Sequence, residues 1–281
     1  MPDADLVPPL RWPAEAIWQA LEPLLPGFSV EVLPELPSTN TELMRRARLG
    51  RADPVLLVAE RQTAGRGRLG RQWTSHGADA QTPGQAAQAT ASLTFSLGLV
   101  LSPQDWSGLS LAVGLAVAQS LHPDVRLKWP NDLWFDGRKL GGILIETAAV
   151  GALRYAVIGI GLNIELPVAQ DLRTPPAALR ELLPATDAAQ ALGCIALPLV
   201  QTVLRFVTEG FGPLCDAFHA RDLLYGHVVQ CTDGTVGQAR GVDASGALMV
   251  HTASGLQKIS SAEVSVRAQP AAPAGGVCAQ G

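Results

Sequence analysis

Apolar residues recur along this chain with two alternating periods, and the changes between them mark out its elements. Ile17, Trp18, Leu21, Leu24 and Leu25 have helical spacing and predict a helix over 14–25, ended by Pro26-Gly27. A strand is expected over 28–36. Ser38-Thr39-Asn40 then opens a second helix, with Thr39-x-x-Glu42 read as a capping box and Leu43 and Ala47 continuing the apolar face. Residues 55–59 are apolar and β-branched and predict a strand. Further strands are expected over 92–101, 125–129, 141–147 and 155–161. Between them lie a buried helix over 109–121 and a turn at Pro130-Asn131-Asp132. Helices are expected over 177–183 and 188–220, the second broken near Gly210-Phe211-Gly212-Pro213.

From Tyr225 the rhythm changes. Short β-like runs over 226–267 are separated by Asp233-Gly234, Ser245-Gly246 and Ser254-Gly255, the pattern of a small β-barrel. Three regions follow: a large mixed α and β domain over 1–222, the small barrel over 223–268, and an Ala/Pro/Gly-rich tail over 269–281, expected to be disordered. Residues 74–91, rich in Ala, Gln, Gly and Thr, read as a flexible insertion.

With 281 residues, 47% hydrophobic and 16% charged, the chain is long and apolar enough to build a core without disulfide or metal staples. A net charge of -4 argues against a dedicated nucleic-acid binder, which needs a basic face. The four cysteines, Cys194, Cys215, Cys231 and Cys278, form no CxxC pair, and the five histidines show no metal-ligand spacing. Reduced thiols are expected. No apolar run reaches the roughly 20 residues a membrane span needs. The acidic, Pro-rich start has no basic n-region, so a cytoplasmic protein is expected.

Local positive charge is a different matter. Gly65-Arg66-Gly67-Arg68-Leu69-Gly70-Arg71 alternates arginine with glycine directly after a strand, and no acidic residue follows until Asp79. Glycines let a backbone approach a ligand and present its N–H groups, while the arginines attract phosphate or carboxylate. Such a segment is expected to gain order when its anion arrives. Gly65-x-Gly67-x-x-Gly70 also fits the dinucleotide fingerprint, but that needs a helix to start at the loop, and Arg71-Gln72-Trp73-Thr74 starts helices poorly. A merely solvated charged loop is the plain alternative. Three more polar strand ends accompany the loop: Lys128-Trp129-Pro130-Asn131-Asp132, Lys139-Leu140-Gly141-Gly142 and Gly159-Ile160-Gly161-Leu162-Asn163. Lys128 could instead snorkel to water, Thr39 serve only as a cap, and Trp73 only as core.

Taken together, Ser38-Thr39-Asn40, Gln62 to Arg68, Gly70-Arg71 with Trp73, Lys128 to Asp132, Lys139-Leu140-x-Gly142 and Gly159-x-Gly161-x-Asn163 resemble the biotin protein ligase family, in the family's order. The resemblance implies an α+β fold: a catalytic domain with a mixed β-sheet, of the class II tRNA synthetase and biotin ligase type, followed by a small C-terminal β-barrel. It implies an ATP-dependent enzyme that activates biotin as biotinyl-5'-AMP and transfers it to a lysine of a biotin carrier domain, such as that of acetyl-CoA carboxylase. By position, Ser38, Thr39, Asn40, Gln62, Gly65, Arg66, Gly67, Gly142 and Gly161 would line the biotin pocket. Arg68 and Lys128 would be catalytic, meeting both the biotin carboxylate and the α-phosphate, while Arg71, Trp73, Asn131, Lys139 and Asn163 would surround ATP. Mg2+ is expected with ATP; its ligands are not identified, although Asp132 is a candidate.

The departures are informative. Leu69 stands where many family members carry arginine, and the stretch over 75–91 is longer than usual. Bifunctional members carry a winged-helix domain ahead of the catalytic one, and only 37 residues precede Ser38. A ligase without DNA binding is therefore expected, with no membrane partner and with room for a weak homodimer. The alternatives are a lipoate protein ligase and a non-enzymatic biotin-sensing regulator.

Overall fold

A computed structural model describes residues 10–74, 90–167, 174–260 and 266–268. The expectations for the 75–89 insertion, the 269–281 tail and Cys278 lie outside the described residues.

The chain runs α1 (Ala14–Leu21), β1 (Ser29–Leu36), α2 (Thr39–Arg48), β2 (Val55–Gln62), β3 (Gly65–Arg66), β4 (Gln72–Trp73), β5 (Ser92–Val100), α3 (Leu109–Leu121), β6 (Arg126–Lys128), β7 (Asp132–Phe135), β8 (Arg138–Val150), β9 (Leu153–Asn163), α4 (Ala188–Glu209) and α5 (Cys215–His219). The small sheet follows: β10 (Val228–Cys231), β11 (Val236–Val242), β12 (Leu248–Thr252), β13 (Gly255–Ile259) and β14 (Val266–Ala268).

A seven-stranded mixed sheet of order β1-β2-β5-β9-β8-β7-β6 is the platform. Only β1 and β2 are parallel; every other neighbour is antiparallel. Strand alternation sends side chains to opposite faces. Leu56 and Val58 of β2 join the main core with α1, α3 and α4, while Val55 and Leu57 join a smaller core under α2 with Leu43, Met44 and Ala47. Burial on both faces explains why the central strands β2, β5 and β9 are nearly continuous apolar runs.

Several elements differ from the sequence reading. The first helix ends at Leu21, and residues 177–183 keep only a 3-10 turn, Leu179–Glu181. Thr39 is not the cap of α2. Ser38 is: its extended backbone lets its Oγ accept from Thr41 N, whereas the Glu42 carboxylate turns to Arg45 and Arg46. The segment over 61–72 has order of its own, since Gly65 pairs with Trp73 and Arg66 with Gln72 around a tight turn at Arg68–Gly70. Strand β7 was not expected. The C-terminal unit is a five-stranded antiparallel sheet of order β13-β12-β11-β10-β14. Helix α4, at 22 residues, is long and apolar enough to cross a membrane, contrary to expectation. Its stripe of Leu192, Ile195, Leu199, Val203 and Phe206 is spent on the core. Cys194, Cys215 and Cys231 are free thiols.

Candidate active site

The N-terminus of α2 brings three polar side chains into the interior; Ser38 caps the helix itself, while Thr39 and Asn40 find partners on neighbouring strands. Ser38, Thr39 and Asn40 are each 3% exposed. Burying such groups is tolerable only when they are hydrogen-bonded. Thr39 N donates to Gln62 Oε1 at 2.8 Å, and its hydroxyl donates to the same oxygen at 3.3 Å. Asn40 Nδ2 donates to Leu144 O at 3.2 Å and to Glu146 Oε2 at 3.0 Å. Its Oδ1 accepts from the Ser96 hydroxyl, which lies 2.7 Å from both Asn40 Oδ1 and Thr39 Oγ1. Gly159 makes this arrangement fit, because a Cβ there would collide with Asn40 Oδ1.

Above this cradle sits the arginine-glycine hairpin. Gly65 is required by its ladder, since a Cβ would strike the Trp73 carbonyl. At the tip Leu69 (φ 56°) and Gly70 (φ 71°) are both left-handed, and Gly67 N donates to Arg71 O at 2.7 Å across the turn. Arg66 reaches the sheet and pairs with Glu146 Oε1 at 3.2 Å. Arg68 turns inward, its Nη1 donating to Asn131 Oδ1 at 3.4 Å, while Asn131 Nδ2 donates to Ile143 O at 2.8 Å. Burial pushes the Arg68 guanidinium below its usual pKa, Asp132 opposes that shift, and Arg71 adds to it. Trp73 lies on Gly161, where a Cβ would come within 2.5 Å of the indole. Its ring lines the cleft, and its Nε1 is buried with no hydrogen-bond partner among the described residues.

The opposite wall comes from β7, β8 and the turn before them. Lys139 Nζ pairs with Asp132 Oδ1 at 2.7 Å beside Gly142. One cleft therefore gathers the predicted residues Ser38, Thr39, Asn40, Gln62, Arg66, Gly67, Arg68, Arg71, Trp73, Asn131, Lys139, Gly142 and Gly161. Gly65, Lys128 and Asn163 do not line it. Gly65 is consumed by the hairpin ladder. Asn163 tethers the wall from behind, donating to Lys139 O at 3.3 Å and Ala177 O at 3.0 Å. Lys128 borders the cleft through Asn131 and Asp132, with which it lines an adjoining hollow, and its Nζ lies 4.4 Å from the Trp134 ring centre. Arg66 and Arg68 thus share the cavity, with Lys128 one residue pair away.

Phe95 on the cleft wall, and Ser96 and Glu146 bonded to Asn40 behind it, are site residues that the sequence reading missed, and Gly159, noted there only as part of a motif, lines the cleft as well. No group of three or more His, Cys, Asp or Glu side chains suited to a metal occurs among the described residues.

A neutral, hydrogen-bonding inner end and a cationic outer end, on a mixed sheet followed by a small antiparallel sheet, define a class. Residues 32–163 match the biotin/lipoate A/B protein ligase family, and residues 227–267 match the biotin protein ligase C terminal domain. The biotin--[acetyl-CoA-carboxylase] ligase of Paracoccus denitrificans is 32% identical over 247 residues, 83% of this chain and 98% of that protein. The bifunctional ligase/repressor BirA of Escherichia coli is 32% identical over 254 residues, 86% of this chain and 75% of that protein. Among solved structures, a biotin protein ligase from Aquifex aeolicus in complex with biotin and ATP is 26% identical, with a TM-score of 0.70 over 85% of this chain and 99% of that one. The chain belongs to the biotin protein ligase family.

Proposed function

We propose that this cleft joins biotin to ATP as biotinyl-5'-AMP and then passes the biotinyl group to a lysine of a biotin carrier domain. One observation carries the reading: the neutral cradle of Thr39, Asn40 and Gln62 and the cationic side chains Arg68 and Arg71 line a single cavity.

In the first step a biotin carboxylate oxygen attacks the α-phosphorus. An O–P bond forms, the bond to the bridging oxygen breaks, and pyrophosphate leaves. Two anions must approach, so cations placed where charge builds up supply the largest share of catalysis. Arg68 suits this role because it is already half-desolvated and held by Asn131, so little reorganisation remains. Lys128 would leave Trp134 to reach the carboxylate and α-phosphate, trading a cation–π contact for a full countercharge. Lys139, Arg71 and the Trp73 ring would take the nucleotide. In the second step the neutral amine of the acceptor lysine attacks the carbonyl carbon, AMP leaves with the C–O bond electrons, and the amide loses its extra proton to solvent. The hairpin over 65–73 would keep water from the mixed anhydride between the two steps.

Mg2+ fits as a passenger of ATP. It typically takes one or two carboxylates plus phosphate oxygens, and Asp132 supplies one carboxylate on the nucleotide wall. Bound there, the ion would neutralise phosphate charge. The free thiols suit a reducing cytoplasm.

The test is incubation with ATP, Mg2+, biotin and a biotin carrier domain, followed by intact mass of the carrier; a carrier without one added biotinyl group rejects the proposal. The family match also spans lipoate ligases. Competing biotin against lipoate in a pyrophosphate-release assay separates the two substrates.

A further inference from the structure

We infer that Glu146 is a positioning residue for the ureido end of biotin, acting through Asn40 and Arg66; this rests on the biotin reading above.

Glu146 lies on β8 two residues after Leu144, so both face the pocket side of the strand. Its two carboxylate oxygens serve two elements. Oε2 accepts from Asn40 Nδ2 at 3.0 Å, and Oε1 pairs with Arg66 Nη1 at 3.2 Å. One carboxylate thereby ties the start of α2 and the arginine-glycine hairpin to the same strand. The carboxylate is about one-fifth exposed and Arg66 about half.

The first consequence concerns Asn40. A side-chain amide has two N–H donors and one oxygen with two lone pairs. Both donors go to β8, one to Leu144 O and one to Glu146, and the oxygen accepts from Ser96. What Asn40 keeps for a ligand is one acceptor lone pair, which suits a ureido N–H. Two acceptor-only partners, the Leu144 carbonyl and the Glu146 carboxylate, fix the amide this way round, and only the second is a side chain that can be exchanged. The second consequence concerns charge. Paired with Glu146, Arg66 adds hydrogen-bond donors to the inner end of the cleft but no net charge, alongside the neutral groups of Thr39, Gln62 and Ser96. Arg68 lies across the cleft, its guanidinium donating to Asn131, and supplies the positive charge of that side, since Lys139 there is paired with Asp132. The cavity is therefore graded from neutral to cationic, as a molecule with a neutral ureido ring at one end and an ionised carboxylate at the other requires.

Glu146→Gln tests this. A glutamine amide has one accepting end and one donating end, so it cannot serve Asn40 and Arg66 together; one of them must face an NH2 group. Pyrophosphate release is measured with biotin and ATP varied in turn. The biotin KM should rise about tenfold, the scale of losing one hydrogen bond to a charged group, with kcat and the ATP KM staying within about threefold. Partial misfolding would lower kcat through the active fraction and leave both KM values in place, so the ratio of the two KM values isolates positioning. Where Glu146→Gln fails to fold, Glu146→Asp carries the same measurement, because it withdraws the carboxylate by one methylene. An unchanged biotin KM, or an ATP KM that rises equally, overturns the inference while leaving biotin ligation intact. A wild-type protein that releases no pyrophosphate from biotin and ATP overturns the underlying reading instead.

Discussion

Gly161 on β9 lies directly under the Trp73 indole: a methyl group there would stand 2.5 Å from Cε2 and 2.7 Å from Cζ2. The backbone of Trp73 pairs with Gly65 in the hairpin ladder, so the ring's seat on Gly161 docks that hairpin on the sheet. Gly161→Ala should therefore lift the arginine-glycine hairpin off the sheet and lower kcat/KM for ATP by about tenfold, ~1.4 kcal/mol. The thermal midpoint should barely change, because the hairpin is peripheral to the core. Trp73→Ala in the Gly161→Ala background should cost little more, as coupled sites do. Full additivity of the two losses, in steady-state kinetics, would show that the contact is not what matters.

Lys128 starts from Trp134, 4.4 Å from the ring centre. If its task is to meet the developing charge at the α-phosphate, Lys128→Ala should slow single-turnover adenylate formation by roughly a hundredfold or more, with equilibrium biotin binding nearly unchanged. Rapid-quench measurement of biotinyl-5'-AMP decides it. Adenylation at the wild-type rate would remove Lys128 from the chemistry.

Much of this site was legible as spacing, and its logic was not. Gly159-x-Gly161 stands out in the sequence because two glycines two apart on a strand share a face. The reason for each is non-local: Asn40 occupies the space above Gly159 and Trp73 the space above Gly161. Ser96 left a trace that pattern reading could have used. In the apolar run of β5, Thr94 and Ser96 are polar at alternating positions, and both are buried, at 1% and 0% exposure. Polar alternation within a central strand marks a hydrogen-bonded cluster inside. Glu146 left none, since a single carboxylate near a strand's end usually meets solvent. Strand β7 was hidden by the strong turn signal of Pro130-Asn131-Asp132. Yet Asp136-Gly137, with φ of 48° and 69°, is the hairpin dipeptide expected between short strands. Thr39-x-x-Glu42 misled because Ser38 competes for the same cap, and a buried partner, Gln62, claims Thr39.

Acid should loosen the helix that presents the cradle. The hydrogen bond from Arg45, with a further one from Arg46, holds the Glu42 carboxyl down at about 2, against an opposing push from burial. A carboxyl whose folded pKa is depressed binds protons more weakly in the native state. Its contribution is therefore full above the ordinary pKa of 4.5 and is lost as pH falls from there toward 2. Urea unfolding midpoints should drop between pH 5 and pH 3, and Glu42→Gln should flatten that slope, starting from lower stability at pH 5. A variant with the wild-type slope would assign the acid sensitivity to other carboxylates.

The small C-terminal sheet holds the strand that carries Lys128 through one buried bond. Trp129, next in sequence to Lys128, is 1% exposed, and its Nε1 donates to Gly246 O at 3.0 Å in the turn before β12. Leu127 N and O, on the other side of Lys128, bond to Arg221 O and Leu223 N in the segment leading to the small sheet. Trp129→Phe keeps most of the apolar bulk but strands the Gly246 carbonyl, at a cost of about 1–3 kcal/mol. The thermal midpoint should fall by several degrees, and adenylation should slow in parallel with Lys128 losing its fixed base, while biotin affinity stays level because the cradle lies on other strands. Calorimetry on the variant, set beside its single-turnover rate, checks both halves. A drop in stability with an unaltered adenylation rate would mean that the small sheet braces the fold and leaves the chemistry alone.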